Sequence, residues 1–144
     1  GISSSTRGVF AGGTTGTTSN VMDYITIATP SNATDFGDLT VVKQYLAGLS
    51  SDTRGVFGGG NSAGYSNVMD YITITTLGNA TDFGDLTVAR SYVAGLSNTT
   101  RGVFGGGGSN SNVMDYITIA TTGNATDFGD LSVGRGALAG VDDS

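Results

Sequence analysis

The sequence predicts an all-β protein built from three copies of one four-stranded antiparallel unit. Three observations carry this. The octet Thr53-Arg54-Gly55-Val56-Phe57-Gly58-Gly59-Gly60 occurs also as Thr6-Arg7-Gly8-Val9-Phe10-Ala11-Gly12-Gly13 and as Thr100-Arg101-Gly102-Val103-Phe104-Gly105-Gly106-Gly107. Its spacing is 47 residues both times, Arg7 to Arg54 and Arg54 to Arg101, and a fixed period in that range marks a repeat architecture. Finally, 25 Gly, abundant Thr, a single Lys and no Glu disfavour helices and suit a turn-rich β protein. The 38% apolar content is placed periodically, which argues against disorder.

The elements of one unit follow in order. Gln44 to Ser50, with its counterpart Ser91 to Ser97, is a short apolar run that predicts strand A. Arg54 to Phe57 predicts strand B, stopped by glycines that allow positive φ and close backbone approach. Val68 to Thr75 predicts strand C, whose alternation sets Val68, Ile72 and Ile74 on one side and Met69, Tyr71 and Thr73 on the other. Both sides are partly apolar, so the sheet is expected to be covered on both faces. Gly78-Asn79 reads as a turn, and Ala80 to Leu86 as a weaker strand D. Four short antiparallel strands in about 50 residues make the blade of a β-propeller. No segment has the 3.6-residue stripe of a helical solenoid. The strict repeat decides against a β-sandwich, the nearer rival. The chain is thus expected to be one domain, 1–144, with blades at about 1–43, 44–90 and 91–135 and an extra inner strand in 136–144.

Four recurring features are more specific. They are a basic residue before strand A (Lys43, Arg90, Arg135), a di-glycine after strand B (Gly12-Gly13, Gly59-Gly60, Gly106-Gly107), a Tyr in strand C (Tyr24, Tyr71, Tyr116) and a Phe in strand D (Phe36, Phe83, Phe128). Together they resemble the kelch repeat, as found in galactose-oxidase-type and kelch-like propellers, over essentially the whole chain. Kelch repeats usually carry Trp where this chain has Phe in strand D. More loosely, the repeats are similar to those of kelch-like proteins of marine tailed bacteriophages. That resemblance implies a non-enzymatic structural or adhesin role in a virion appendage such as a tail fibre, at an extracellular or virion surface, contacting a host-surface glycan or protein.

Three blades fall short of the four to eight that usually close a propeller. Two blade faces would then be bare, and each buried Val, Ile or Phe is worth roughly 1.5–3 kcal/mol. The economical closure is a homodimer, two chains forming a six-bladed ring. The ends fit this expectation. Gly1 to Ser5 aligns with the end of strand A, and Gly136 to Val141 is a further strand A that could serve a neighbouring chain's first blade. The first residue is Gly, so the sequence reads as a processed chain or an excerpt.

Comparing the copies locates the variable surface. Over Val21–Val41, Val68–Val88 and Val113–Val133, 17 of 21 positions are the same in all three. The differences gather in the B–C loops and in the D–A connections, which up-down strand order places on one face, the usual home of recognition. Candidate ligand-binding residues there are Tyr65, Asn61, Asn67, Thr17, Asn110 and Asn112, whose aromatic and amide groups suit a neutral sugar or peptide. Tyr45 and Tyr92 read as packing residues at the start of strand A. Lys43, Arg90 and Arg135, and likewise Arg7, Arg54 and Arg101, read as cations that stitch blades together by pairing with Asp.

Much else is excluded. A net charge of −6 repels a phosphate backbone, so no nucleic-acid partner is expected. No apolar run reaches the roughly 20 residues of a membrane span, so no insertion is expected. Without His or Cys the chain lacks the commonest general base, nucleophilic triads and thiol chemistry, so no catalytic residue, metal or cofactor is assigned. The Asp-Phe-Gly-Asp quartets holding Asp35 and Asp38, Asp82 and Asp85, and Asp127 and Asp130 recur in every unit. That recurrence indicates turn capping and blade-to-blade pairing, since catalysis needs one site. The sequons at Asn32, Asn79, Asn98 and Asn124 read as turn chemistry. The expected function is binding or display, and its alternative is an assembly module without an outside ligand.

Overall fold

A computed structural model describes residues 1–141 of the chain. It contains three four-stranded antiparallel sheets, each formed from consecutive strands in the order of the sequence. The first holds β1 (Ile2–Ser3), β2 (Arg7–Ala11), β3 (Val21–Thr26) and β4 (Thr34–Asp38). The second holds β5 (Ala47–Ser50), β6 (Arg54–Gly58), β7 (Val68–Thr73) and β8 (Thr81–Asp85). The third holds β9 (Ala94–Ser97), β10 (Arg101–Gly105), β11 (Val113–Thr118) and β12 (Thr126–Asp130). Each is a propeller-like blade, numbered here 1 to 3. The only helical turn among the described residues is 3-10, at Gly108–Asn110.

Strands B, C and D lie where the repeat predicts them. Strand A is shorter than expected, because Tyr45 and Tyr92 have φ of 58° and 56° and turn the chain just before it. Residues 136–141, expected to form an extra inner strand, make no ladder: no strand B stands beside them. They nevertheless follow β9 as β9 follows β5, with Ala137 N–H donating to Tyr92 O at 3.0 Å just as Tyr92 N–H donates to Tyr45 O at 2.9 Å. The remainder of that stretch, 142–144, lies outside the described residues.

Each strand D carries a bulge, so that Asp70 faces Asp82 and Met69 faces Gly84, leaving Phe83 as the extra residue. The bulge turns Phe83 onto the side of Met69 and Tyr71, where all three join Leu49, Val56 and Leu86 in the core between blades 2 and 3. The opposite side of blade 2, with Phe57, Ile72 and Ile74, packs on Ile2, Val9, Met22, Phe36 and Leu39 of blade 1. Both faces of blade 2 are therefore core, as the pattern of strand C predicts.

The two seams, blade 1 to 2 and blade 2 to 3, are built alike. A strand-A side chain inserts over a strand-B glycine: Ile2 covers Gly55 and Leu49 covers Gly102, so an added Cβ at either glycine would run into the inserted side chain. Phe36 O accepts from Gly78 N–H at 2.9 Å, and Phe83 O from Gly123 N–H at 2.7 Å. Asn79 Oδ1 accepts from Asp38 N–H at 3.0 Å, and Asn124 Oδ1 from Asp85 N–H at 3.1 Å, so these two sequon amides serve the seam. Lys43 Nζ lies 2.6 Å from Asp70, and Arg90 pairs with Asp115; all four side chains are buried. Hydroxyls of Thr40 and Thr87 donate to the same two carboxylates. Burial pushes both cations below their ordinary pKa while the facing carboxylate pulls the other way.

Blade stitching by Lys43 and Arg90 is thus as expected, but their partners are not the Asp-Phe-Gly-Asp quartets. Asp35, Asp38, Asp82 and Asp85 sit on strand D and make no ion pair among the described residues, although Asp82, opposite Asp70, adds to the negative field at Lys43. Arg7, Arg54 and Arg101 are structural, as expected, but among the described residues none pairs with Asp. Each guanidinium stacks on the strand-C tyrosine of its own blade, at 4.4 Å from Tyr24, 4.5 Å from Tyr71 and 4.7 Å from Tyr116. Arg7 then donates to Ile74 O at 2.7 Å, and Arg54 to Ala120 O at 2.8 Å, in the next blade.

Candidate functional site

The B–C loops and D–A connections meet as the strand order requires. Gln44, from the first D–A connection, bridges Asn61 in the second B–C loop, and Asn61 bridges Tyr65 across that loop. Tyr65 is 48% exposed and reaches toward blade 3: a methyl group at Gly108 would stand 2.8 Å from its hydroxyl and 3.3 Å from Ser91 Oγ. Ser91 Oγ is buried and has no hydrogen-bond partner among the described residues, a cost of about 1–3 kcal/mol.

Next to this lie Tyr45 and Tyr92, which are exposed and do not enter the core. Packing was the expectation for them, and the left-handed backbone at both positions overturns it by swinging the side chains out of strand A. Their rings stack on each other, with centroids 4.2 Å apart and planes at 18°. Hydrogen bonding to Tyr45 raises the Tyr92 phenol above its ordinary pKa, and Tyr65 contributes in the same direction. A non-glycine residue at positive φ costs about 1–2 kcal/mol. Ala137 shares the conformation at φ 55°, so the blade-to-blade backbone bonds account for the turn. The tyrosine side chains are additional to that need.

The predicted residues therefore divide. Tyr65 and Asn61 are brought together with Tyr45 and Tyr92. Asn67 and Asn112 use their backbone oxygens to accept from Leu86 and Leu131 N–H, at 2.8 and 2.7 Å, which makes them loop anchors. Thr17 is exposed on blade 1, with its backbone oxygen turned onto Thr14 and Thr15 of its own loop. Asn110 is exposed at φ 56° on the third loop, beside Gly134. Among the described residues, no hydrogen bond or bridge ties Thr17, Asn110 or Asn112 to the tyrosine cluster. Sequence reasoning missed Tyr45 and Tyr92 as surface residues. The available signal was their place in the variable D–A connection, where the third copy has Ala137.

Chemically, the cluster offers aromatic faces, phenol hydroxyls and an amide, with Lys43 and Arg90 already neutralised beneath it. Such a surface suits stacking and neutral hydrogen bonding. Among the described residues, no three acidic side chains converge in a way that could hold a metal ion. No family model matches the chain, and no curated protein matches it.

Proposed function

We propose that the chain is a non-enzymatic, kelch-like β-propeller scaffold that binds an uncharged ligand, a neutral glycan or a protein loop, on the face carrying Tyr45, Tyr65 and Tyr92. The observation that carries this is the exposure of all three tyrosines on the one face where the copies differ. On the kelch and tailed-phage resemblances, such a scaffold would sit at an extracellular or virion surface, in an appendage that contacts a host. A glycan array probed with the 144-residue chain tests this. Hits are expected, and Tyr92→Ala and Tyr65→Ala should each weaken them about tenfold, or about 1.4 kcal/mol. Binding indifferent to both substitutions would refute the site.

A second reading is an assembly module that joins parts and binds no outside ligand. It is favoured by the exposed apolar surfaces of blades 1 and 3, which carry Phe10, Ile27 and Leu96. An array without hits favours it.

A further inference from the structure

We propose that the outer faces of blades 1 and 3 are the two halves of one interface, and that its occupant is a second copy of this chain. Each seam inside the chain has a giving and a receiving half, and both halves recur unused. Blade 3 gives Leu96, 43% exposed, at the position of Ile2 and Leu49. Blade 1 receives with Gly8, at the position of Gly55 and Gly102. Gly8 lines an open concavity of about 390 Å³ together with Phe10, Ile25, Ile27 and the inner-strand Gly48 and Gly95. Phe10 and Ile27 are 58% and 52% exposed, whereas their equivalents Phe57 and Ile74, and Phe104 and Ile119, are buried.

The polar contacts repeat in the same way. Arg135 is the equivalent of Lys43 and Arg90 but makes no ion pair among the described residues; its guanidinium donates to Val133 O, at 3.0 Å. Asp23 is the equivalent of Asp70 and Asp115 and likewise has no cation partner among the described residues. Arg101 is stacked on Tyr116 but has no carbonyl of a next blade to reach. Docking Leu96 into the Gly8 concavity, in the geometry of the two existing seams, brings Arg135 to Asp23, the Ser132 hydroxyl to the same carboxylate and Arg101 to Ile27 O. It also sets Asp130 N–H against Asn32 Oδ1, the amide left over from the Asn79 and Asn124 series. One copy carries both halves, so two copies meet at two such seams and close on a two-fold axis as a six-bladed ring.

Sedimentation of the intact chain at tens of micromolar reads this directly. The expected mass is twice 14.4 kDa. Asp23→Arg and Arg135→Asp should each sediment as monomers, because each sets like charges at both seams. Mixing the two variants should restore the dimer, since every seam then holds one Arg and one Asp. Phe10→Asp changes a side chain already in water in the single chain, so it should give a monomer with unchanged far-UV circular dichroism. A monomeric wild type, a ladder of larger multiples, or a dimeric Phe10→Asp overturns the proposal, and failure of the mixture overturns the Arg135–Asp23 pairing. Mass and ligand binding are separate readouts, so closure can fail while recognition by the tyrosine face stands.

Discussion

Phe57 and Phe10 occupy the same place in the same octet, yet one is 1% exposed and the other 58%. The same contrast runs through Ile72 against Ile25, Asp70 against Asp23 and Leu49 against Leu96. Nothing in the local sequence separates the members of these pairs. What separates them is whether another blade lies alongside, so burial in this protein is a property of the neighbour. The chain thus contains its own control for each seam contact.

The largest effect follows from that control. Phe57→Ala removes a buried ring from the seam of blades 1 and 2 and should cost about 3–5 kcal/mol in denaturant unfolding. Phe10→Ala, measured at high dilution, should cost under about 0.5 kcal/mol, as a surface substitution does. Raising the protein concentration should erase the difference as the bare face becomes covered. A difference that persists unchanged at every concentration would mean that no second blade face ever reaches Phe10.

Of similar size is the charged contrast. Asp115→Ala leaves the Arg90 guanidinium buried without its counter-charge and should cost about 3–5 kcal/mol. Asp23→Ala removes a carboxylate that has no cation partner among the described residues and should stay within about 0.5 kcal/mol at high dilution. Equal costs would show that Asp115 stabilises its strand for a reason other than Arg90.

A smaller effect isolates close approach of backbone. Gly84 and Gly129 share the bulge position with φ of 136° and 122°, so an added Cβ strains both alike. At Gly84 it would also meet the Gly123 carbonyl oxygen at 2.5 Å, while at Gly129 nothing lies within 4 Å. Gly84→Ala should therefore be the more destabilising, by about 1–3 kcal/mol of overpacking. Parity between the two would mean that the seam opens to admit a methyl group.

Much of this architecture was legible in the residues. Strands B, C and D follow from three near-identical copies in which Val-Met-Asp-Tyr-Ile-Thr-Ile alternates apolar groups on both sides, and two-sided apolar strands must be covered twice. The ion-pair partners were legible in principle: Asp70 and Asp115 stand in the middle of an otherwise apolar strand, where an unpaired carboxylate would be too costly to bury. The Asp-Phe-Gly-Asp quartets are the more conspicuous carboxylates because they recur as pairs, although pairing in sequence says nothing about depth. The tyrosine cluster was only half legible. Tyr65 is marked by a variable loop, but Tyr45 and Tyr92 look like the first residues of an apolar strand. Only their positive φ, set by backbone bonds from the neighbouring blade, turns them outward, and a contact between units 47 residues apart leaves no local trace.

The smallest contrast concerns Arg54 and Arg101. Both stack on the tyrosine of their own blade at nearly equal distance, so that term cancels between them. They differ in reach. Arg54 also donates to Ile119 O at 3.1 Å and Ala120 O at 2.8 Å across the seam, while Arg101 has no blade beyond it. Charge-assisted hydrogen bonds contribute about 1.5–3 kcal/mol when well buried. Arg54 is only half-buried, and solvent screening reduces that to about 1 kcal/mol. Arg54→Gln should thus cost about 1 kcal/mol more than Arg101→Gln at high dilution. Added salt should narrow the gap, because the remaining advantage is electrostatic and partly exposed. A gap that ignores salt would locate the stabilisation in packing of the Arg54 stem along the seam, and the carbonyl contacts would then be incidental.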